Sequence, residues 1–402
     1  MDATARVHRD SRRRCDVADG GAGAAVKTRA TRWSRFRRWC INFTGPSIII
    51  EDRSMNTIRC FPLNAWYAAA WSHEVGKREL LARTVCNKRM IFWRRADGTA
   101  VALEDACWHR LLPLSFGWLE GEEVVCRYHG LAFDSKGQCT RMPAQENLNP
   151  SARVPSFPVV DRHRFVWVWP GDAALADLEL VPDMHWNEDP EWDGDGKTMF
   201  AKCDYRLFVD NLMDLTHESF VHATSIGNKH VAETPMTTTH SGRTVTSTRW
   251  MLNIDAPPFW RAQLGKPGNV DRWQIIQFEA PCTIVLDVGV APTGTGAPQG
   301  DRSKGVNGRV LNTITPETDT TCMYFWSLVR NYKLRDQTLT TQLRDANGKI
   351  FVEDQAVVEA QQRTINELPD HKLRTLNIDA GSMRARRIID DMIASEMGTA
   401  TP

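Results

Sequence analysis

The sequence predicts an α+β protein with a small all-β domain at residues 55–172 and a larger α+β domain at residues 173–402. Two observations lead to this prediction. The first region consists of short runs rich in Val, Ile, Phe and Trp, separated by glycine-containing turns, which is typical of short strands. The second region has strand-like runs between helix-like segments at both of its ends, and this order is typical of an α+β domain.

Residues 1–54 are expected to lie outside both domains. They have twice as many Lys and Arg residues as Asp and Glu residues and show no apolar periodicity, which predicts a disordered extension. Four Asp residues in the first nineteen positions, and the lack of an apolar segment there, argue against a secretory or transit peptide. A mis-assigned start is the alternative, because "MNTIRCFPLNAWYAAAW" begins at Met55 with sequence typical of a folded domain.

The composition sets limits on the class of protein. The chain has 402 residues, of which 42% are hydrophobic and 25% are charged, and its formal net charge of +1 gives no indication of a nucleic-acid partner. No apolar run reaches the ~18 residues that a membrane helix needs, so no membrane association is expected. The ten cysteines lack the spacing of a secreted disulfide scaffold, and a cytoplasmic location is therefore expected.

The individual elements can be placed in order along the chain. Strands of the first domain are predicted at "NAWYAAAW", "RMIFWRR", "AVALED", "EEVVCRY" and "HRFVWVWPGD", with a turn at "DSKGQ". Strands of the second domain are predicted at "RTVTSTRWML", "RWQIIQFE", "TIVLDVGVAP" and "CMYFWSLVRNY". Helices are predicted at "CDYRLFVDNLMDLTHESFVHATSIG", "NGKIFVEDQAVVEAQQRTINEL" and "LNIDAGSMRARRIIDDMIASEM".

The first candidate site lies in "DACWHRLLPLSFGWLEGEEVVCRYHGLAFD" and contains Cys107, His109, Cys126 and His129. The spacing C-x-H, sixteen residues, C-x2-H gives each of two loops one thiol and one imidazole. Two thiolates on one iron and two imidazoles on the other are the ligands of a Rieske [2Fe-2S] cluster. A Cys2His2 zinc site is an alternative, although zinc fingers usually separate both members of each pair by two or more residues. Ordinary buried residues are a further alternative.

The second candidate site begins with His217 and His222 in "NLMDLTHESFVH". On a straight helix, residues five positions apart point about 140° away from each other. Both imidazoles therefore face one metal only where the helix bends or ends between them. Oxygenases with mononuclear non-haem iron use two histidines and one carboxylate, so a third ligand has to be found elsewhere, and a purely structural histidine pair is the alternative.

Asp354 is the candidate for the third ligand. On a helical projection of 100° per residue it falls in the middle of an apolar arc, with Glu353 near the edge and Glu359 almost opposite. The arc consists of Ile350, Phe351, Val357 and Val358. A buried carboxylate is costly unless it is paired or bound to metal, so the position predicts a metal ligand or, as the alternative, an ion pair with Arg.

These patterns together resemble the Rieske non-haem iron oxygenases. The run C-x-H-R-x-x-P-L-S…C-x-Y-H-G-x-x-F-D and the later D-x2-H-x4-H are similar to the two metal motifs of that family, and the resemblance extends from Met55 to the end. Segments such as "FVWVWPGD", "APPFWRA" and "LNIDAG" are similar to the branch that contains vanillate O-demethylase. Leu112 and Tyr128 stand where respiratory Rieske proteins have two further cysteines, which excludes that class. Trp108 replaces a usual Pro and Leu111 a usual Gly, and both are expected to crowd the first loop.

The resemblance implies a Rieske [2Fe-2S] domain followed by a helix-grip catalytic domain with an antiparallel sheet and one mononuclear non-haem Fe(II) at His217, His222 and Asp354. It implies O2-dependent demethylation of vanillate or a similar methoxybenzoate to the phenol (protocatechuate) and formaldehyde. It also implies a head-to-tail homotrimer, in which Asp214 of one subunit meets His129 of the next. A helix cap or a surface acid is the alternative role for Asp214.

The electrons are expected to come from a separate protein. "GTGAPQG" lacks the spacing of a dinucleotide-binding loop, so a separate NAD(P)H-dependent reductase with flavin is implied. A Rieske oxygenase that hydroxylates the ring of another aromatic compound, and a non-catalytic electron carrier, are the competing hypotheses. Arg261 and Asn312 are able to pair with a substrate carboxylate, but surface roles fit them equally well.

Overall fold

The computed structural model describes residues 60–143 and 145–398, so the expectations for residues 1–54 lie outside the described residues. In the described part of the first region, eleven short strands form three antiparallel sheets. The strands are β1 (Tyr67–Trp71), β2 (Leu81–Val85), β3 (Lys88–Arg94), β4 (Ala100–Glu104), β5 (Trp118–Glu120), β6 (Glu123–Val125), β7 (Ala132–Phe133), β8 (Cys139–Arg141), β9 (Ser156–Phe157), β10 (Val159–Arg162) and β11 (Phe165–Val168). The all-β prediction for this region is confirmed.

The three sheets have the orders β1-β11-β10, β2-β3-β4-β9 and β5-β6-β7-β8. The predicted turn at residues 134–138 connects β7 to β8, where the amide of Gly137 donates to the carbonyl of Asp134 over 2.9 Å. The loops that follow β4 and β6 contain the first group of candidate ligands. These strands therefore set the position of both loops.

The second region is built on one seven-stranded antiparallel sheet with the order β12-β18-β17-β16-β15-β14-β13. Its strands are β12 (Asp193–Ala201), β13 (Thr237–Ser241), β14 (Thr244–Ile254), β15 (Val270–Glu279), β16 (Thr283–Pro292), β17 (Val306–Thr318) and β18 (Thr321–Arg330). Sequence patterning missed β17 because its residues, "VNGRVLNTITPET", mix polar residues and Gly into a run that is almost entirely buried. Neighbours on both sides bury this strand, so alternation along the chain does not reveal it.

The helices of the described residues are α1 (Tyr205–Met213), α2 (Lys229–Glu233), α3 (Pro258–Leu264), α4 (Gln337–Glu367) and α5 (Ala380–Gly398). Helix α4 begins ten residues before its predicted start, where the Asp336 side chain caps it by accepting from the amide of Leu339. It packs on the sheet through Phe351, whose ring lies 5.1 Å from that of Tyr324 and 5.0 Å from that of Trp326. This packing places the middle of α4 over the sheet.

Direct contacts join the two predicted domains. The Thr315 hydroxyl donates to the carbonyl of Ala68 over 2.7 Å, and the amide of Cys86 donates to the carbonyl of Pro316 over 2.8 Å. One buried core cluster includes residues of β1, β11 and the large sheet. Among the described residues, no helix has the length and apolar character that crossing a membrane requires.

Candidate metal centres

Two loops of the first region adopt the same hydrogen-bonded turn. In each loop the amide of the cysteine donates to the carbonyl of the fifth residue after it, and the amide of the fourth residue donates back to the cysteine carbonyl. The donor and acceptor pairs are Cys107 to Leu112 (2.9 Å) and Leu111 to Cys107 (2.9 Å) in the first loop, and Cys126 to Leu131 (2.8 Å) and Gly130 to Cys126 (2.9 Å) in the second. The similarity of the two Cys-His segments is therefore also a similarity of backbone geometry.

The four candidate ligands of these loops converge from two sides. The thiols of Cys107 and Cys126 are buried, whereas the imidazoles of His109 and His129 are exposed. The Nδ1 atoms of the two imidazoles lie 3.2 Å apart, close enough to bind the same metal atom. Burial and, to a smaller extent, the neighbouring Cys126 together raise the pKa of the Cys107 thiol to about 11. A thiolate at this position therefore needs a bound cation to compensate its charge.

The spread of these donors distinguishes between one metal ion and a two-iron cluster. A single tetrahedral zinc requires all four donor atoms within about 4 Å of one another, given its usual bond lengths. Among the described residues, the only group that brings three or more such donor atoms within 4.8 Å of one another is His217, His222 and Asp354. The two loops therefore fit two metal atoms, with thiols on one side and imidazoles on the other.

The unusual residues of the first loop do not crowd it in the expected way. Trp108 and Leu111 are 38% and 73% exposed, so their side chains extend towards solvent. The cost of Leu111 lies in its backbone instead, because its φ of +56° is in the left-handed region that favours glycine. Gly130, at the equivalent position of the second loop, has a φ of +72°.

The histidines of the second site follow a helix that ends. Helix α1 stops at Met213, and Asp214 adopts an extended conformation with φ −130° and ψ 102°. The Asp214 carboxylate accepts from the amide of Thr216 over 2.9 Å, which caps the short 3-10 helix Leu215–Ser219. Because the straight helix is interrupted, the rings of His217 and His222 come within 5.3 Å of each other.

A close backbone contact fixes the end of this segment. The amide of Gly227 donates to the carbonyl of His222 over 3.1 Å. A Cβ atom on Gly227 would lie 1.9 Å from the carbonyl oxygen of Glu218, so only glycine fits. The turn that returns the chain past His222 therefore depends on this glycine.

Asp354 of α4 completes the second site. Its Oδ1 lies 3.0 Å from Nε2 of His222 and 3.4 Å from Nε2 of His217, and its side chain is 3% exposed. Asn211 of α1 donates to the same oxygen over 3.2 Å. Within the described part of the chain, Asp354 has no ion pair with Arg, which was the alternative interpretation. Val357, which the helical projection placed on the same arc, is 43% exposed because the sheet covers a narrower face of α4.

Hydrogen bonds orient both imidazoles towards Asp354. Nδ1 of His217 donates to the main-chain carbonyl of Asp214 over 2.7 Å, and Nδ1 of His222 donates to the Glu353 carboxylate over 2.6 Å. A carbonyl and a carboxylate only accept, so Nδ1 carries the proton in both rings. Each Nε2 is then available as a metal ligand, and two imidazoles with one carboxylate are a donor set that suits non-haem iron(II).

The protonation of the three groups is interdependent. Burial lowers the pKa of His217 and of His222, but the hydrogen bonds and the charge of Asp354 outweigh it, so both pKa values are raised. Burial raises the pKa of Asp354, but hydrogen bonds from the two histidines outweigh it, so the Asp354 pKa is lowered. The carboxylate is therefore ionised and suited to hold a cation.

A cavity of about 160 Å³ lies beside the three ligands. Leu286, Val288 and Val310 of the sheet form one wall, and α4 forms another through Phe351. The walls are mainly apolar, which suits an aromatic ring. The site therefore combines three candidate metal ligands with a mainly apolar pocket next to them.

Polar residues that sequence reasoning missed also lie in this wall. Glu218 and Arg272 both line the cavity, and their side chains form a buried ion pair of 3.1 Å. Arg272 falls in the inward register of "VDRWQIIQFE", so a charged residue among alternating apolar ones was the available signal. Neither Arg261 nor Asn312 lines the cavity: Arg261 bonds to Asp255 and to main-chain carbonyls, and Asn312 bonds inside the sheet.

Comparison with known proteins identifies similar chains for both regions. The Rieske [2Fe-2S] domain family matches residues 65–158, and the vanillate O-demethylase oxygenase C-terminal domain family matches residues 201–395. The vanillate O-demethylase oxygenase subunit of Pseudomonas sp. (strain HR199 / DSM 7063) is 42% identical over 85% of this chain and 97% of its own length. A putative toluene-4-sulfonate monooxygenase system iron-sulfur subunit of Comamonas testosteroni is 39% identical over 84% of this chain and 99% of its own. The crystal structure of dicamba monooxygenase with non-heme iron and dicamba is 30% identical with a TM-score of 0.74, covering 84% of this chain and 98% of that chain.

Proposed function

Because the chain belongs to the Rieske non-haem iron oxygenase family that includes vanillate O-demethylase oxygenase subunits, we propose that it is the oxygenase component of an aromatic O-demethylase. Its substrate is vanillate or a similar methoxybenzoate. The reaction takes up O2, two electrons and two protons, and it gives the phenol (protocatechuate from vanillate), formaldehyde and water. Hydroxylation of the methoxy C–H bond forms a hemiacetal, which collapses to the phenol and formaldehyde.

One observation supports this function more than any other. His217, His222 and Asp354 line the same apolar cavity, so a metal at these residues faces the bound substrate directly. An electron carrier has no need of a second metal site beside an apolar cavity. This arrangement therefore favours an enzyme over a carrier.

Each metal has its own set of protein ligands in this proposal. Cys107, Cys126, His109 and His129 would hold the [2Fe-2S] cluster, and His217, His222 and Asp354 would hold the mononuclear iron. When bound, the iron supplies O2 activation and the cluster supplies electrons. The apolar residues of the cavity exclude water and hold the aromatic ring, while Glu353 and the Asp214 carbonyl keep both imidazoles in the tautomer that presents Nε2.

The electrons are proposed to come from a separate NAD(P)H-dependent reductase that contains flavin. The segment 294–300 lies in the loop between β16 and β17 and contains only a short 3-10 turn, Ala297–Gln299, rather than a nucleotide-binding helix. The related proteins are themselves named as subunits or components of larger systems. A cytoplasmic location is proposed because the ten cysteines lack the spacing of a secreted disulfide scaffold.

We also propose that the chain forms a head-to-tail homotrimer, with Asp214 as the link from His129 of a neighbouring subunit. His109 and His129 are exposed, so a second copy is able to reach them. Large apolar residues are exposed around the two loops, as is usual at a protein interface. They are Trp108 (38%), Leu111 (73%), Phe116 (63%), Trp118 (46%) and Tyr128 (61%).

The function is tested by mixing the purified protein with a reductase, NADH and a panel of methoxybenzoates. Stoichiometric release of formaldehyde with the corresponding phenol is expected. Formation of a cis-diol that contains both atoms of labelled O2 would instead identify a ring-hydroxylating enzyme. Cluster reduction without any product from the panel would favour the electron carrier.

A further inference from the structure

A single permanent cation lies in the wall of the cavity. Among the described residues that line it, Arg272 is the only Lys or Arg, and it is 2% exposed. It lies on β15 and is paired with Val290 of the neighbouring strand β16, whose apolar residues form part of the same wall. A guanidinium in an apolar wall is costly unless all of its charge is compensated.

Glu218 compensates this charge, but the hydrogen-bond donors of the guanidinium are satisfied only in part. Nη2 of Arg272 donates to Oε2 of Glu218 over 3.1 Å, and the other oxygen of Glu218 accepts from Nε2 of Gln274 over 2.9 Å. Nη1 of Arg272 is buried and has no hydrogen-bond partner in the described part of the chain. A buried donor on a charged group is costly to leave unpaired, so a ligand that pairs with it removes this cost on binding.

A second unpaired donor belongs to the opposite wall. The side-chain amide nitrogen of Asn347, on α4, is also buried and without a hydrogen-bond partner among the described residues. Two residues of the cavity wall, Arg272 and Asn347, thus each have one unused donor, and one of these donors belongs to a cationic group. This pattern fits an aromatic anion that also has a second oxygen substituent.

We propose that Arg272 is the residue that selects an anionic substrate, by pairing Nη1 with the carboxylate of the methoxybenzoate, and that Asn347 donates to a second oxygen of the ring. This inference rests on the proposed demethylase function and adds the basis of its specificity. Glu218 has the role of a positioning residue, since it holds the guanidinium in the wall through Nη2. Vanillate and toluene-4-sulfonate, which the names of two relatives contain, are both aromatic anions.

The test compares two ligands that differ in one substituent, which is charged in only one of them. Vanillate and vanillyl alcohol, in which CH2OH replaces the carboxylate, are titrated into the holoenzyme by calorimetry without reductase, so no turnover occurs. The wild type is expected to bind vanillate more tightly. Arg272→Met should weaken vanillate binding by about 10- to 100-fold and leave the binding of vanillyl alcohol nearly unchanged, because one charge-assisted pair is lost.

A second variant covers the event that Arg272→Met fails to fold. Removing Arg272 leaves Glu218 buried without its counter-ion, whereas Glu218→Gln/Arg272→Met removes both charges and keeps an acceptor for Gln274. Iron content and the cluster spectrum verify folding. The double variant should show the same loss of preference for vanillate.

Arg249→Met is the matched control. Arg249 is equally buried and bonds to Gln274 and Thr216 in the same network, but it does not line the cavity. Its loss is expected to leave the ratio of the two affinities as in the wild type.

Two outcomes would overturn the inference, and they are distinct from failure of the function. Equal wild-type affinity for the two ligands would show that the cavity does not select an anion. An equal loss of affinity for both ligands in the folded Arg272 variants would show that Arg272 only supports Glu218. In either case, release of formaldehyde would still support the proposed function. If the wild type bound neither ligand and released no formaldehyde, both proposals would fail together.

Discussion

The two candidate metal centres differ in how the protein positions their residues. The proposed cluster ligands lie in two short loops that the backbone shapes locally, and both imidazoles are exposed. The proposed iron ligands come from a broken helix and from α4, more than 130 residues apart, and Asp354 and His222 are buried. The imidazoles of His217 and His222 are each also fixed by an acceptor on the far side of the ring.

This difference predicts how each centre responds to change. A loop whose geometry comes from its own backbone should tolerate changes elsewhere and react mainly to its own residues. A centre assembled from distant elements should fail when one element loses its contact. The four predictions below test this contrast, beginning with the largest expected effect.

Asp354→Ala should abolish iron binding and formaldehyde release while the cluster spectrum stays intact. The substitution removes a carboxylate that pairs with both histidines, and Asp354 lies outside the two cluster loops. Iron analysis and visible absorption measure the two centres separately. Glu359→Ala, on the outer part of the same helix, is the control and should retain iron. Full turnover in the Asp354 variant would show that the proposed iron site takes no part in the reaction.

Asp214→Asn should slow electron transfer between the centres by about 10-fold or more and leave both metals bound. The iron site survives because His217 donates to the main-chain carbonyl of Asp214, and Asn is still able to accept from the amide of Thr216. Stopped-flow oxidation of the reduced cluster in the presence of substrate and O2 measures the rate. Loss of iron from this variant would show that the carboxylate is structural.

Glu353→Gln should weaken iron binding by about 10-fold, the lower end of the usual effect of an outer hydrogen-bond partner. The neutral amide still accepts from Nδ1 of His222 but no longer offers a negative charge. Competition with a chelator measures the affinity. Val357→Ala, at an exposed position of the same helix, should have no effect, and an equal loss in both variants would argue against a specific role for Glu353.

Leu111→Gly should stabilise the cluster loop by about 1 kcal/mol. The change removes the strain of a non-glycine residue at positive φ, and this gain exceeds the entropy that glycine loses on folding. Gly130→Ala should do the opposite in the second loop, where a Cβ would also lie 3.0 Å from Cγ of Pro143. Thermal loss of cluster absorbance measures both. The same direction of change in both variants would show that the two loops are not equivalent.

The sequence indicated candidate ligands for the cluster, but it did not indicate the polar residues of the cavity. Cys107, His109, Cys126 and His129 lie within 23 residues, so their spacing alone indicates a shared site. Asp354 was identified because a single acid stood in an apolar arc. Arg272 was missed because one charged residue in a strand gives little signal, and its meaning depends on Glu218, 54 positions away in the chain.

By itself the sequence determined the class of both domains and the residue types at both centres, since strand patterns, turns and metal motifs are local properties. Only the tertiary structure decided which acceptor orients each imidazole and which cation faces the cavity. Strand β17 was likewise recognised only in the structure, because it is buried almost throughout and its sequence lacks the alternation of apolar and polar residues that predicts a strand. The physical reason is that such contacts join residues far apart in sequence, and their energies exist only after the chain has packed.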